Sequence, residues 1–522
     1  MSGTSPELPG PDPDPTPASD STPASAPGTS PASTPGASPA PPASGSPGAA
    51  PELPPAVRSA VHKIFRRVVP LFFIMFVANY MDRVNLGFAQ DQLRADVGLS
   101  AGAFGLGAGI FFIAYAIFEV PSNMLMERFG AKVWLTRIMI SWGVVAGAMA
   151  FVTNAETFYA LRFLLGVAEA GFFPAVIYYF SRWLPDSHRG RATSIFLMGS
   201  GTATVVVGPI SGALLEMHGV WGHAGWQWMF FIEGVFSIVL GFVVYRFLDS
   251  GIEGARWLTD EEKTGLVAVI DAEQQVRAEQ RRTEQVSRWR LLADPQMLLF
   301  LWIYFAINVA LYAVTFWLPS IVDDIGGLSD FQVGLLTAVP WLFAILAVWV
   351  AGRLSDRIGK RRPVLMVLLV LGGVGTLLAV FVSPWVGLGA LCLAAMGFKP
   401  ASPIFWTIPQ SYLDARAAAP GIALINSLGN LGGFVAPTAF GIIEDATGST
   451  KAGLVGLTVI GFLAALSVLL IRGGGRNDRV RATPPPAAAP AVRRERPSSP
   501  GAARTGRALP GRHGRGTAAQ GA

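Results

Sequence analysis

Residues 352–361 read GRLSDRIGKR, a short charged loop between apolar stretches at 333–352 and 363–383. A related loop at residues 127–132 reads ERFGAK, and it also lies between two long apolar stretches. Both loops contain an acidic residue, Arg, an apolar residue, Gly, one further residue and a basic residue, in that order. A motif that recurs between equivalent segments indicates a repeated structural unit. Because the copies lie in opposite halves of the chain, we predict two related halves.

Twelve apolar stretches surround these loops, six in each half, and each is long enough for a helix to cross about 30 Å of hydrocarbon. They lie at about 68–90, 103–124, 133–152, 156–180, 192–215, 226–248, 296–321, 333–352, 363–383, 385–408, 420–443 and 452–472. Only 14% of the 522 residues are charged, against about 25% in soluble domains. We therefore predict an all-α polytopic membrane protein with 12 transmembrane helices in two six-helix bundles, at 61–248 and 296–472.

Three segments lie outside the two bundles. Residues 1–60 are mostly Pro, Ala, Ser, Gly and Thr, and residues 473–522 are rich in Arg, Pro, Gly and Ala. Neither segment can bury enough apolar surface to offset its ordering entropy, so we predict two disordered tails. Residues 249–295 form the linker, in which 257–290 should be a surface helix. The sequence TDEE at 259–262 is typical of a helix start, with acidic residues in the first turn.

The basic residues are unevenly distributed among the loops. The even-numbered loops and their flanks hold Arg128, Lys132, Arg137, Arg182, Arg189, Arg191, Arg353, Arg357, Lys360, Arg361, Arg362 and Arg416. The odd-numbered loops hold only Arg94 and Lys451. Because loops rich in Lys and Arg stay in the cytoplasm, we predict a multi-pass protein of the bacterial cytoplasmic membrane with both termini in the cytoplasm.

Several classes of function lack sequence support. The single cysteine, Cys392, excludes an intrachain disulfide, and the five histidines show no metal-ligand spacing. The predicted spans contain no Ser/His/Asp or Cys/His set, and no glycine-rich loop could hold a phosphate. We expect no enzymatic activity, no cofactor or metal, no nucleic-acid partner and no use of ATP.

The loop at 352–361 resembles the signature of the major facilitator superfamily. The copy in the first half is degraded, with Asn123 at the position of Gly352 and Glu127 at the position of Asp356. The resemblance implies that these loops gate the transporter at the cytoplasmic side, where an acid caps a helix N-terminus and neighbouring Arg groups join adjacent helices. The implied gating residues are Glu127, Arg128, Gly352, Asp356 and Arg357.

A finer resemblance covers about residues 64–472 and leaves out both tails. The stretches that carry it are NYMDRVNL at 79–86, FEVPSN at 118–123, LRFLLGVAEAGFFP at 161–174, GWQW at 225–228, FWLP at 316–319 and INSLGNLGGF at 425–434. Together they are similar to the anion:cation symporter family, which includes tartrate, phthalate, 4-hydroxyphenylacetate and hexuronate permeases. The resemblance implies proton-coupled uptake of a small organic carboxylate by alternating access across the lipid bilayer. The oligomeric state is left open, and a monomer is the default expectation.

Ionisable residues inside the predicted spans are costly and usually functional. Arg83 is the candidate for the substrate carboxylate, because its planar guanidinium binds carboxylates bidentately; the alternative is a pair with Asp82 or a backbone carbonyl. Asp82 and Glu169 are candidate proton carriers, since a carboxyl in a low-dielectric cavity can load and release protons near neutral pH. Arg162 should assist, because it lies two helical turns from Glu169 on the same face. The alternative is a fixed buried pair that clamps helices, and Glu233 is expected to be structural.

Polar and aromatic side chains complete the predicted substrate site. Tyr304, Asn308 and Tyr312 recur at four-residue spacing on one helix face, and Asn426 and Asn430 do so on another. Such groups bind substrate oxygens or join helices. Tyr115 and Trp406 should add an aromatic wall.

Two competing functions are considered. GPISGA at 208–213 partly resembles the signature of drug antiporters, which favours a proton-driven exporter of drugs or metabolites. The match lacks a second final glycine, and a cation exporter would not be expected to carry Arg83 beside its acid. A non-transporting membrane sensor is the second alternative, but it should carry a folded soluble module, and both tails are of low complexity.

Overall fold

The structure, a computed structural model, describes residues 53–282, 294–413 and 415–471. The predicted tail at 473–522 and most of the one at 1–60 lie outside these residues, as does the predicted linker helix beyond residue 282. The described residues form helices and connecting turns and contain no strand.

The α-helices of the described residues are α1 (Pro55–Arg67), α2 (Val69–Val97), α3 (Ala101–Phe129), α4 (Ala131–Ala148), α5 (Ala155–Glu169), α6 (Phe172–Trp183), α7 (Asp186–Leu215), α8 (Gly225–Phe247), α9 (Asp260–Arg282), α10 (Pro295–Asp323), α11 (Asp330–Ile358), α12 (Arg361–Phe381), α13 (Pro384–Tyr412), α14 (Ala415–Gly429), α15 (Gly432–Thr447) and α16 (Thr450–Val468). Helices α2–α8 form the first half of the molecule, and α10–α16 form the second half.

The twelve predicted crossings are confirmed. Ten described helical segments are long and apolar enough to span a membrane, and the pair α5 and α6 counts as one of them. Two crossings complete the twelve: the first in the chain is α2, whose 29 residues include Asp82 and Arg83. The other is the eleventh in the chain, formed by the pair α14 and α15. Most helices are longer than predicted, because their polar ends continue beyond the apolar stretch that marks the span.

The fourth crossing was predicted as one helix over 156–180, and this is wrong. Helix α5 ends at Glu169, and α6 begins at Phe172 after a break at Ala170 and Gly171. Gly171 has φ of 87°, and a Cβ atom there would overlap the hydroxyl of Ser122 on α3. The same hydroxyl donates a hydrogen bond of 2.6 Å to the carbonyl of Ala170. The break therefore replaces a lost helical bond with one from a neighbouring helix.

The eleventh crossing is also broken, between α14 and α15, where the prediction had one helix over 420–443. A Cβ atom on Gly432 would lie 2.8 Å from the carbonyl oxygen of Phe305 on α10. The glycine therefore allows the two backbones to approach closely.

The linker helix α9 packs against α1, which begins at Pro55 and so lies partly inside the predicted tail. Glu262 joins the two helices, because it accepts hydrogen bonds from Ser59 (2.6 Å) and Lys63 (2.8 Å). It also accepts one from the amide of Thr259 (2.9 Å), which confirms the predicted helix start. Burial alone would raise the pKa of Glu262, but these hydrogen bonds lower it to about 2.

We call the end of the molecule that carries α1 and α9 the terminal end, and the opposite end the distal end. At the distal end the two halves are joined by polar contacts. Asp445 of α15 accepts hydrogen bonds from the amides of Ala101 (2.9 Å) and Gly102 (2.8 Å), so it caps α3 from the other half. Arg94 of α2 pairs with Glu444 at 2.8 Å.

Backbones of the two halves also touch near the distal end. Gly208 of α7 faces Gly334 of α11 so closely that a Cβ atom on either would overlap the carbonyl oxygen of the other. Gly105 of α3 makes the same kind of contact with the carbonyl of Pro437 on α15. Eight hydrogen bonds join described residues of the two halves on the distal side, and Tyr312 also interacts with Arg83 near the middle of the molecule. The molecule is therefore closed at its distal end.

Replacing Asp445 with Ala should loosen this closure. Asp445 also accepts a bond from the Ser100 hydroxyl (2.7 Å), and bonds to a charged acceptor contribute about 1.5–3 kcal/mol each. We expect the population open at the distal end to rise roughly tenfold or more. Pulsed electron paramagnetic resonance distances between spin labels at Thr153 and Ser383 measure this population. Asp323→Ala, an exposed acid at the same end, is the control, and unchanged distances in Asp445→Ala would contradict the prediction.

Candidate functional site

A buried ion pair lies in the middle of the first half. Nε of Arg83 on α2 donates to Oε1 of Glu169 at 3.0 Å, and Nη2 of Arg83 contacts the same oxygen. The Glu169 side chain is fully buried, whereas 16% of the Arg83 side chain is exposed. Oε2 of Glu169 has no hydrogen-bond partner among the described residues. The arginine thus neutralises a buried carboxylate while it keeps part of its surface open.

Aromatic side chains from both halves surround Arg83. Its guanidinium carbon lies 5.3 Å from the ring centres of Phe111 and Tyr115 on α3. The Arg83 charge also interacts with the hydroxyls of Tyr115 and of Tyr312, which is on α10 in the second half. Three predicted substrate residues, Arg83, Tyr115 and Tyr312, therefore meet at the boundary between the halves.

Asp82 and Arg162 lie inside the first half. Asp82 is 5% exposed, and its Oδ2 atom has no hydrogen-bond partner among the described residues. Arg162 is 1% exposed and donates long hydrogen bonds to the carbonyls of Gly107 (3.4 Å) and Ala108 (3.3 Å) on α3. Both residues interact electrostatically with Glu169, but neither is hydrogen-bonded to it in the described structure. The partner of Arg83 is thus Glu169, not Asp82.

Two predicted residues of the second half are used in packing. Tyr304 is 8% exposed, and its ring centre lies 4.7 Å from that of Trp406 on α13. Asn308 is 7% exposed and donates to the backbone carbonyl of Tyr304 at 3.0 Å. Gly429 and Gly432 allow the α14–α15 break to lie against these two side chains. Tyr304 and Asn308 therefore lie behind the open surface, while Trp406 is only half-buried.

Asn426 and Asn430 flank the end of α14 and are half-buried. Neither side chain forms a hydrogen bond with another described residue. The structure does not place them in contact with Arg83.

The predicted gating residues lie at the terminal end. Glu127, Arg128, Asp356 and Arg357 are exposed, and within the described ranges none of them forms an ion pair. A Cβ atom on Gly352 would meet open space. Their role in closing this end stays a prediction.

Two polar features escaped the sequence analysis, Lys399 and the distal contacts of α15, whereas Glu233 had been assigned a structural role. Lys399 lies near the middle of α13 and was not selected as a candidate. It is a charge within a predicted span, so the criterion that selected the other intramembrane charges would have found it. The distal contacts of Glu444 and Asp445 were also missed. The signal that could have found them is Arg94, one of only two basic residues in the odd-numbered loops, which pairs with Glu444. Glu233 of α8, predicted to be structural, accepts hydrogen bonds from Asn85 and Ser211 on two neighbouring helices.

Comparison with known proteins gives consistent matches. Residues 72–437 match the family model described as Major Facilitator Superfamily. A protein of Agrobacterium vitis named for tartrate transport is 43% identical over 81% of this chain and 93% of its own length. A quinolone resistance transporter of Acinetobacter baumannii is 38% identical over 77% of this chain and 92% of its own. Among solved structures, a bacterial homologue of the human lysosomal transporter Spinster matches with a TM-score of 0.65 at 15% identity, over 80% of this chain and 97% of that chain.

Proposed function

The chain belongs to the major facilitator superfamily, and we propose that it couples the uptake of a small organic carboxylate to protons by alternating access. Membership makes it a multi-pass membrane transporter rather than an enzyme. The observation that carries the proposal is the partly open Arg83, held at the boundary between the halves by the buried Glu169. The similarity to a protein named for tartrate transport supports a carboxylate substrate.

Arg83 has the chemistry for binding an anion. A guanidinium carries five N–H donors in a planar fork, and Glu169 takes only two of them. The remaining donors, together with the hydroxyls of Tyr115 and Tyr312, can receive a carboxylate. A substrate carboxylate therefore competes with Glu169 for the same cation.

This competition provides the coupling. When Glu169 takes up a proton, it no longer needs Arg83 as a counter-ion, and the arginine is free to pair with the substrate. Proton and substrate then favour the same state of the site, which is the thermodynamic requirement for symport. Asp82 is the second proton candidate, because it lies buried near Arg162 and has an unpartnered oxygen.

The closed distal end defines the stage of the transport cycle. If the terminal end faces the cytoplasm, as the loop charges suggest, the structure is an inward-facing state. The exposed gating loops at that end would then pair when the transporter turns outward. We propose that the protein works in this way as a monomer in the bacterial cytoplasmic membrane.

Drug export is the second candidate, and the similarity to a quinolone resistance transporter favours it. The glycines of the antiporter-like stretch have another explanation, because Gly208 and Gly212 allow α7 to pack closely on α11. Arg83 would also repel a cationic drug. The two functions differ in the direction of gradient-driven transport.

Uptake into proteoliposomes separates the two candidates. We expect labelled tartrate, a sugar acid or phthalate to accumulate when the proton gradient points inward, and not without a gradient. Gradient-driven export of a fluoroquinolone, with no uptake of tartrate, the sugar acid or phthalate, would favour the exporter.

Arg83→Lys should reduce uptake at low substrate concentration roughly tenfold or more. Lysine keeps the charge but loses the fork that can hold Glu169 and a carboxylate at once. The exposed Arg246→Lys exchange at the end of α8 serves as the control. Normal uptake by a folded Arg83→Lys protein would remove Arg83 from the substrate site.

Glu169→Gln and Asp82→Asn should separate recognition from coupling. Each amide imitates the protonated acid, so the site is fixed in the loaded form. We expect exchange of internal for external substrate to survive, while uphill accumulation fails. Glu156→Gln, an exposed position on α5, should keep both activities. A variant that still concentrates substrate would show that its acid is not the coupling group.

The orientation can be tested with single cysteines in a Cys392→Ser background. We expect an impermeant thiol reagent to label Thr153→Cys, at the distal end, in intact cells. Gln275→Cys, exposed on α9, should react only after the membrane is opened. The reverse pattern would place the terminal end outside the cell.

A further inference from the structure

Lys399 is a cation in the interior of the second half with no anionic partner in the described structure. It lies near the middle of α13, 13 residues from the last helical residue, Tyr412. That separation is about 20 Å along the helix, more than a lysine side chain can extend toward either end of α13. Lys399 is half-buried, and no carboxylate of a described residue lies within 4 Å of its Nζ atom.

Aromatic rings are the recorded neighbours of this ammonium group. Nζ lies 5.6 Å from the ring centre of Tyr80 on α2 and 5.9 Å from that of Trp341 on α11. Cation–π contacts of this length are weak, and they only partly replace the water that the ammonium group gives up in this position. The other basic groups of the bundle interior differ, since Arg83 pairs with Glu169 and Arg162 donates to carbonyls. Lys399 therefore has unused capacity for an anion.

Tyr80 connects Lys399 to the site around Arg83. Tyr80 and Arg83 are three residues apart and so are neighbours on the surface of α2. Tyr80 also interacts electrostatically with Arg83 and with Tyr312. The boundary between the halves thus holds one cation from each half, with the Tyr80 ring between them.

The backbone beside Lys399 adds hydrogen-bond acceptors. Pro400 and Pro403 lie inside α13, and proline has no N–H to donate. The carbonyls four residues earlier, those of Met396 and Lys399, therefore lack their normal helical donors. Such carbonyls can accept hydrogen bonds from hydroxyl groups of a ligand.

We propose that Lys399 binds the second anionic group of a dicarboxylate whose first carboxylate binds Arg83. The inference rests on the proposed carboxylate transport and narrows its substrate to dianions, with hydroxylated dianions favoured by the two carbonyls that lack a helical donor. A dianion held in this way joins the two halves. It would supply a contact that the described residues of the terminal side do not make themselves.

Binding by purified protein at pH 7, measured by calorimetry, tests the proposal with matched ligands. L-Threonate is tartrate with one carboxylate replaced by a hydroxymethyl group, and 2-(hydroxymethyl)benzoate stands in the same relation to phthalate. We expect at least one dianion to bind the wild type roughly thirtyfold more tightly than its matched monoanion, as for loss of a buried charge pair. Lys399→Gln should remove this preference and leave the monoanion's affinity unchanged. Lys399→Arg should keep it.

Lys451→Gln, an exposed lysine at the start of α16, is the control and should bind like the wild type. Equal affinities for dianion and monoanion in the wild type would overturn the proposal, even if Lys399→Gln does not fold. So would a folded Lys399→Gln that keeps the preference. In either case, equal weakening by Arg83→Lys of the binding of the dianion and of its matched monoanion is informative. That result would retain the proposed carboxylate transport and reject only the role of Lys399. If no carboxylate binds or is taken up, both proposals fail.

Discussion

The candidate site depends on one constraint, which is that the buried carboxylate of Glu169 needs a positive partner. Leaving such a charge unpaired costs several kcal/mol, and Arg83 is the cation hydrogen-bonded to it. The pair can separate without leaving a buried charge unpaired only if Glu169 is protonated and Arg83 finds another anion at the same time. Those two events are the ones that a symporter of protons and anions has to link.

The break in the fourth crossing places Glu169 where this constraint applies. Glu169 is the last residue of α5, so the chain turns immediately after it. The turn is held by Ser122, which donates to the carbonyl of Ala170 and accepts a 2.9 Å bond from the indole of Trp134. Three helices therefore fix the acid in position. The flexible partner is Arg83, whose side chain is partly open to the boundary between the halves.

The sequence predicted the twelve crossings and their division into halves, because hydropathy averaged over about 20 residues reports membrane burial directly. It also singled out Arg83, Asp82 and Glu169 as candidate site residues, since charges within apolar spans are rare. It could not show which of them pair, because adjacent residues such as Asp82 and Arg83 point in directions that only helix rotation and packing decide. The breaks were missed for a related reason. A change of φ at Gly171 alters the helix without altering its hydropathy.

The two halves share a fold but contribute different polar side chains to the site. The first half holds the buried acids and both arginines, while the second presents Tyr312, the asparagine amides and Lys399. The distal end is closed by the protein's own contacts, such as Asp445 on the amides of α3. The terminal side has no comparable hydrogen bond between described residues of the two halves. A ligand that pairs with groups of both halves would therefore add contacts on the side where the described residues make no comparable hydrogen bond themselves. For this reason we propose that the substrate supplies the contact that closes the terminal side.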